Sequence, residues 1–498
     1  MNVNPITRLD YPDPDVIRVE DTYYMVSTTM HFMPGCEILQ SFDLVHWEHA
    51  TYVYETLDHT DAQQLKSGQN IYGQGMWAAS LRYHEGRFYI CFVANDTRKT
   101  YLYTSEKIDG PWKRQLIEGF YHDGSLLFDE DGRNYIVYGN DEIWITELNE
   151  DLTAPKKDGL HRLLVSDHKN PELGYEGSHI QKINGYYYIF LIHSLRDRWM
   201  RTEACFYSDS LEGEFTGGDV LCDDRGYCGQ GVAQGGIVDT PDGKWYAMLF
   251  QDSGAVGRIP ILLPVTWKDH FPIFGQNGHV PEEIEVHSTR PGYIYQPLVG
   301  SDDFCNGLLP RWQFNHDPDP RYYHLDALQG TYTITTREVC TELTQAVNTL
   351  TQRMSYPSCA AEVTVDASAL KEGDVAGLCA LQGCYAAVGI TKHHGKYEVL
   401  MLDKKEDGIL DMTERTVVES HQMDFRLEAD FCNMKDEARC YYRVNKGDWL
   451  PIGTVHKLYF KLDHFTGCRF SLFCYAAEET GGSACFRDFK YYDVDEIS

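Results

Sequence analysis

Apolar residues along this chain come in short runs rather than in sustained helical stripes. The runs are rich in aromatic and β-branched residues, and Gly, Asn, Asp or Pro closes them. That is the pattern of strands separated by tight turns. A loose repeat organises the first part of the chain, in which an acidic or Asn/Gly turn precedes an aromatic pair and an apolar run. The copies are Glu20-Asp21-Thr22-Tyr23-Tyr24-Met25, Glu85-Gly86-Arg87-Phe88-Tyr89-Ile90, Asp131-Gly132-Arg133-Asn134-Tyr135-Ile136, Asn184-Gly185-Tyr186-Tyr187-Tyr188-Ile189 and Asp242-Gly243-Lys244-Trp245-Tyr246-Ala247. The turn supplies positive φ, and the run after it fits one strand of a hairpin. Copies spaced roughly 45–65 residues apart assign one β-sheet blade to each and predict a five-bladed propeller. An ordinary all-β protein with many Asp-Gly hairpins is the plainer alternative.

The pattern changes near Pro291–Asp303. After Arg290-Pro291-Gly292-Tyr293 the blade motif is lost, although short alternating runs continue to Ser498. Leu458-Tyr459-Phe460-Lys461-Leu462 and Arg469-Phe470-Ser471-Leu472-Phe473 read as strands of period two. The expectation is an all-β chain with a propeller over 1–295 and a β-sandwich over 300–498.

Composition narrows the function classes. With 75 Asp+Glu against 44 Lys+Arg, the formal net charge is -31. Such a surface lacks the basic face that releases counterions from nucleic acid, and it suits an anionic membrane no better. A neutral ligand is compatible with it. Aromatic residues make up 13% of the chain, enough to serve both strand cores and stacking on sugar rings. The 15 cysteines form no CxxC pair, and several sit in apolar runs, as Cys91 and Cys474 do. They read as buried thiols in a reducing compartment, not as zinc ligands. No basic segment followed by an apolar run opens the chain, and no apolar stretch is long enough to span a membrane. The expected location is cytoplasmic.

Three acids share a setting. Asp13 lies in Asp10-Tyr11-Pro12-Asp13-Pro14-Asp15, where flanking prolines hold it in extended chain ahead of the first strand. Asp123 lies in His122-Asp123-Gly124-Ser125-Leu126 before the third blade motif, and Glu176 in Tyr175-Glu176-Gly177-Ser178-His179 before the fourth. Taken singly, each reads as an ordinary hairpin acid. In a propeller the innermost strand of each blade lines the central channel, so acids at equivalent places on blades one, three and four converge on one pocket.

These segments resemble glycoside hydrolase family 43, five-bladed propeller enzymes that act on xylose- and arabinose-containing polysaccharides. Tyr11-Pro12-Asp13-Pro14-Asp15-Val16-Ile17-Arg18 is similar to the family's general-base segment. Asp123-Gly124-Ser125-Leu126 is similar to its pKa-tuning segment, and Glu176-Gly177-Ser178-His179 to its general-acid segment. Pro34-Gly35, Met76-Trp77-Ala78-Ala79-Ser80 and Thr240-Pro241-Asp242-Gly243-Lys244-Trp245-Tyr246 extend the match across about residues 1–290. The tail, with Asp303-Phe304 and Arg311-Trp312-Gln313-Phe314-Asn315-His316, is similar to the concanavalin-like sandwich of the family's β-xylosidases and arabinofuranosidases.

The resemblance implies an exo-acting, inverting glycosidase on xylo- or arabino-oligosaccharides, with Asp13 as base, Glu176 as acid and an ionised Asp123 raising the pKa of Glu176. It implies further that Phe32 and Trp77 wall the terminal-sugar pocket. Arg258 is expected to bind sugar hydroxyls or pair with a channel carboxylate, and His179 to orient Glu176 or serve as a satisfied structural histidine. Many relatives carry a metal-linked histidine six residues before the Thr-Pro-Asp-Gly turn. Here that place is Gln234, so no metal and no cofactor is assigned, with a structural calcium left open. A non-catalytic carbohydrate-binding propeller, an endo-arabinanase and an invertase-like fructosidase are the competing readings.

Overall fold

A computed structural model describes residues 2–493. Among the described residues there is no α-helix; the elements are β-strands and four short 3-10 turns. No helix is long and apolar enough to cross a membrane.

Five four-stranded antiparallel sheets form the blades of a propeller. Blade one comprises Asp15–Val19, Thr22–Val26, Gly35–Ser41 and Glu48–Tyr54. Blades two to five begin with Met76–His84, Ser125–Phe128, Glu176–Ile183 and Val232–Asp239. The first strand of every blade touches the first strand of the next, and blade five returns to blade one. These first strands are the innermost ones. Each copy of the sequence repeat is the turn between the first and second strand of its blade, with Glu20, Gly86, Gly132, Gly185 and Gly243 at positive φ. The repeat counts blades because every blade needs one left-handed turn at the same point. The ends of the propeller are tied by Asn2–Val3 pairing with Glu283–Ile284.

Two further sheets pack face to face over a core that includes Trp312, Phe425, Phe470 and Phe486. The all-β expectation therefore holds, propeller first and sandwich second. Two local expectations do not. Phe32–Met33 leaves blade one and pairs with Gln313–Asn315, so this propeller segment is the edge strand of a sandwich sheet. Leu458–Leu462 is not a strand. The strand before it ends at Lys457 and the next begins at Arg469. The alternation there has another cause: Leu458 enters the sandwich core, while Phe460 and Phe465 reach across to Arg258 of the propeller.

Candidate active site

Asp13, Asp123 and Glu176 stand at the N-terminal ends of the innermost strands of blades one, three and four, and therefore at the same end of the channel. They meet in a pocket of about 560 Å³ with Trp77, Gln234 and Arg258. The sandwich closes one wall with Met434 and with Phe460, Lys461, Leu462 and Phe465 of the 458–468 loop. A second opening of about 460 Å³ lies at the other end of the channel. There Arg18 is paired with Asp239 and Lys182 with Asp129, which leaves no converging acids.

Each carboxylate is held differently. Asp13 is not in the extended chain expected between its prolines: it adopts φ 53°, a left-handed conformation that a non-glycine residue keeps only where its surroundings enforce it. Thr28 Oγ1 donates to Asp13 Oδ2 at 2.6 Å, and Arg258 NH1 donates to Asp13 Oδ1 at 3.1 Å. Thr28 Oγ1 also accepts the Ala78 N–H at 2.9 Å, which ties the base segment to blade two. Arg258 is buried, its guanidinium carbon 4.2 Å from the Phe465 ring centre and 5.5 Å from that of Phe250. A cation so enclosed sharpens an ion pair and keeps water from it.

Asp123, also at positive φ, accepts the Gly177 N–H at 2.9 Å. Burial, with Glu176 and Asp13 beside it, raises its carboxyl to about 6 against the downward pull of the His122 cation and the Gly177 N–H. Glu176 Oε2 accepts from Asn140 Nδ2 at 2.7 Å. His122 Nε2 lies 3.6 Å from Asp123 Oδ2 and 3.5 Å from Glu176 Oε2. The Asp123 carboxylate pushes His122 up to about 9, against burial. His122 and Asn140 were not singled out in the sequence, although His122 adjoins Asp123 in the chain.

The innermost strands of blades two, four and five each carry a register shift at the pocket end, between Trp77 and Ser80, Glu176 and His179, and Ala233 and Gly236. Such bulges re-aim side chains and are common beside active sites. They turn Trp77, Glu176 and Gln234 into the channel. Trp77 lies 5.4 Å from Phe465 between ring centres and is half-buried. Gln234 is buried against Gly177, where a Cβ would come within 2.7 Å of its amide carbon. Its own N–H donates to Glu203 Oε2 at 2.7 Å.

Phe32 does not line the pocket. It is buried at the junction under Arg469, whose guanidinium carbon is 3.4 Å from the ring centre. His179 also turns away, because it follows the bulge. Its Nδ1 is 3.1 Å from Asp15 Oδ1, and Asp15 is bridged to Arg82 at 2.7 Å, so it supports the channel wall beneath the pocket and has no contact with Glu176. Among the described residues, His122, Asp123 and Glu176 form the one group whose ligand atoms lie within 4.8 Å of one another. A metal ion held there would have to displace the proton of His122, which stands between the Asp123 and Glu176 carboxyl groups.

Residues 3–272 match the family model described as Glycosyl hydrolases family 43, and residues 301–492 match that of the Beta xylosidase C-terminal Concanavalin A-like domain. A beta-xylosidase of Formosa agariphila is 27% identical over 99% of this chain and 89% of its own length. A solved bifunctional GH43-CE structure of Bacteroides eggerthii superposes with a TM-score of 0.93 at 42% identity over 100% of this chain, which spans 64% of that longer chain. An engineered GH43 glycoside hydrolase, described as displaying both endo-xylanase and exo-arabinofuranosidase activity, superposes with a TM-score of 0.87 at 27% identity over 99% of each chain.

Proposed function

The chain belongs to glycosyl hydrolases family 43, and from that premise we propose that it is an exo-acting, inverting glycosidase that releases terminal xylose, arabinofuranose or both from hemicellulose-derived oligosaccharides. The observation that carries this reading is the convergence of Asp13, Asp123 and Glu176 at one end of the channel, in a single pocket roofed by the sandwich loop.

Inversion requires a base on one face of the sugar and an acid on the other, with room for a water between base and anomeric carbon. Asp13 takes a proton from that water. Its oxygens are oriented by Thr28 and Arg258, so one lone pair faces the pocket in a defined direction. Glu176 gives its proton to the leaving glycosidic oxygen. Asp123 is the third acid of the scheme, its carboxylate held by the Gly177 N–H beside Glu176. No cofactor enters the scheme. Phe460, Lys461, Leu462 and Phe465 of the sandwich wall one side of the pocket, which supports exo action over the endo alternative.

The test is hydrolysis of nitrophenyl β-xyloside and nitrophenyl α-arabinofuranoside, with the first-formed anomer followed by NMR. Asp13→Asn on the nitrophenyl glycosides, and Glu176→Gln on xylo- or arabino-oligosaccharides whose sugar leaving group needs protonation, are each expected to lower kcat by about a thousandfold or more. Turnover near the unmodified level in either variant removes that residue from the scheme, and a retained anomer removes inversion.

A further inference from the structure

The reading above divides a bound oligosaccharide in two, and the inference here rests on it. The terminal sugar lies between Asp13 and the cleaved bond; the leaving group lies beyond Glu176. Glu176 opens the innermost strand of blade four, so the leaving group extends along that blade. Blade four reaches the pocket there with Glu172 and Leu173, just before Glu176, and with Trp199, in the turn between Tyr186–Ser194 and Arg201–Ser208. Lys461 and Leu462 of the sandwich also line this pocket.

Trp199 is 43% exposed. A single exposed aromatic is ordinary on its own, but this one lines the pocket that holds the three acids. Its support is rigid. The Arg201 guanidinium carbon is 5.2 Å from the Trp199 ring centre, and Arg201 is fixed by Asp252 at 2.5 Å and by the Phe250 ring at 5.2 Å. One face of the indole thus rests on a buried, ion-paired cation, and the ring contributes to the pocket lining. A flat aromatic surface held in this way matches the C–H face of a pyranose ring. Neither Trp77 nor Phe465 can serve this place, since they lie against each other and against His122 and Arg258 around the acids themselves.

We propose that Trp199 is the platform for the leaving-group sugar, and that this sugar is a pyranose of a xylo-oligosaccharide chain. Trp199 then selects oligosaccharides over substrates with small leaving groups while taking no part in bond cleavage.

The experiment compares Trp199→Ala and Trp199→Phe with the unmodified protein on two matched pairs. The pairs are β-xylosyl fluoride against xylotriose, and arabinofuranosyl fluoride against arabinofuranosyl-xylotriose. Fluoride departs without touching Trp199, so the fluorides report on Asp13 and the terminal pocket alone. For the pair that the protein hydrolyses, Trp199→Ala is expected to lower kcat/KM on the oligosaccharide about tenfold, mostly through KM, and to leave the fluoride within about twofold. Trp199→Phe should recover much of the loss. An equal fall on both members of the pair, or none on the oligosaccharide, overturns the platform. If the unmodified protein hydrolyses no member of either pair, the glycosidase reading fails and this inference falls with it.

Discussion

The base Asp13 shares its hydroxyl partner with blade two. Thr28 Oγ1 is bonded on one side to Asp13 and on the other to the Ala78 N–H, and Thr28 is buried. Thr28→Val keeps the shape and removes both bonds. A hydrogen bond to a charged group is worth about 1.5–3 kcal/mol, so kcat should fall about 10–100-fold with Thr28→Val, with Thr28→Ser close to the unmodified rate. Steady-state kinetics on the nitrophenyl glycosides decide this. His122 makes a separate, pH-dependent prediction. Its folded value, pushed up to about 9 by Asp123, exceeds the ordinary 6.5. The stability it contributes is therefore fully present below pH 6.5 and is lost as pH rises through 9, a change on the order of 3 kcal/mol. Denaturant unfolding at pH 6.5 and pH 9.5 should show that loss in the unmodified protein and a much smaller one in His122→Gln.

At the scale of elements, the segment before Asp13 is a clasp between the two halves of the molecule. Asp10 Oδ1 accepts the Arg258 N–H and Asp10 Oδ2 accepts the Gly467 N–H, each at 2.8 Å. One bond holds the strand that carries the partner of Asp13; the other holds the sandwich loop that carries Phe460 and Phe465. Both neighbours are glycines because a Cβ at Gly257 would meet Asp10 Oδ1 at 2.3 Å, and one at Gly467 would meet the Val256 carbonyl oxygen at 2.2 Å. Asp10→Asn leaves one donor facing an N–H. The expected cost is about 2–3 kcal/mol of stability, with kcat lowered as the roof loosens. A midpoint shift in guanidinium unfolding together with a fall in kcat supports the clasp, and unchanged kcat would separate the loop from catalysis.

At the scale of the molecule, propeller and sandwich meet over buried histidines. His31 of the propeller lies 4.9 Å from His316 and 5.9 Å from His464 of the sandwich, between ring centres. Burial pushes all three below the ordinary histidine value, with His464 near 4. Above pH 6.5 this carries no cost. As pH falls from 6.5 towards 4, the unfolded chain binds protons that the folded junction refuses. Stability then drops as pH falls, since each of the three histidines takes up a proton in the unfolded chain first. Urea unfolding between pH 6.5 and 4.5 should show this slope, and His464→Gln should reduce it by about one third, since one of three proton-refusing groups is gone.

The propeller was legible because its signal is local. A left-handed turn followed by an aromatic pair is written in six consecutive residues, and five blades need five such turns. The positions of Asp13, Asp123 and Glu176 were legible for the same reason, since each immediately precedes or opens an innermost strand. Asp10 and His122 could have been noted as neighbours of those acids, but nothing local marks their partners at Gly467 or Glu176. Phe32 was assigned to the sugar pocket and instead joins a sandwich sheet, because strand partnership is settled by what lies alongside and not by residue type. His179 points to Asp15 because a bulge of one strand register reverses its direction. The alternation at Leu458–Leu462 came from one side chain serving the sandwich core and its neighbours serving the pocket.

By itself, then, the sequence determined the strand content, the five turns, the change of domain after about residue 290, and the places of the three acids on their blades. These follow from nearest-neighbour chemistry: left-handed turns and period-two alternation. Only the tertiary structure decided what faces the acids. Thr28 and Asn140 on the propeller, Trp199 in the blade-four turn and Phe465 from the sandwich come from distant parts of the chain. They are brought together by ring closure, by three bulges and by one buried clasp, and none of these leaves a pattern within any single stretch of residues.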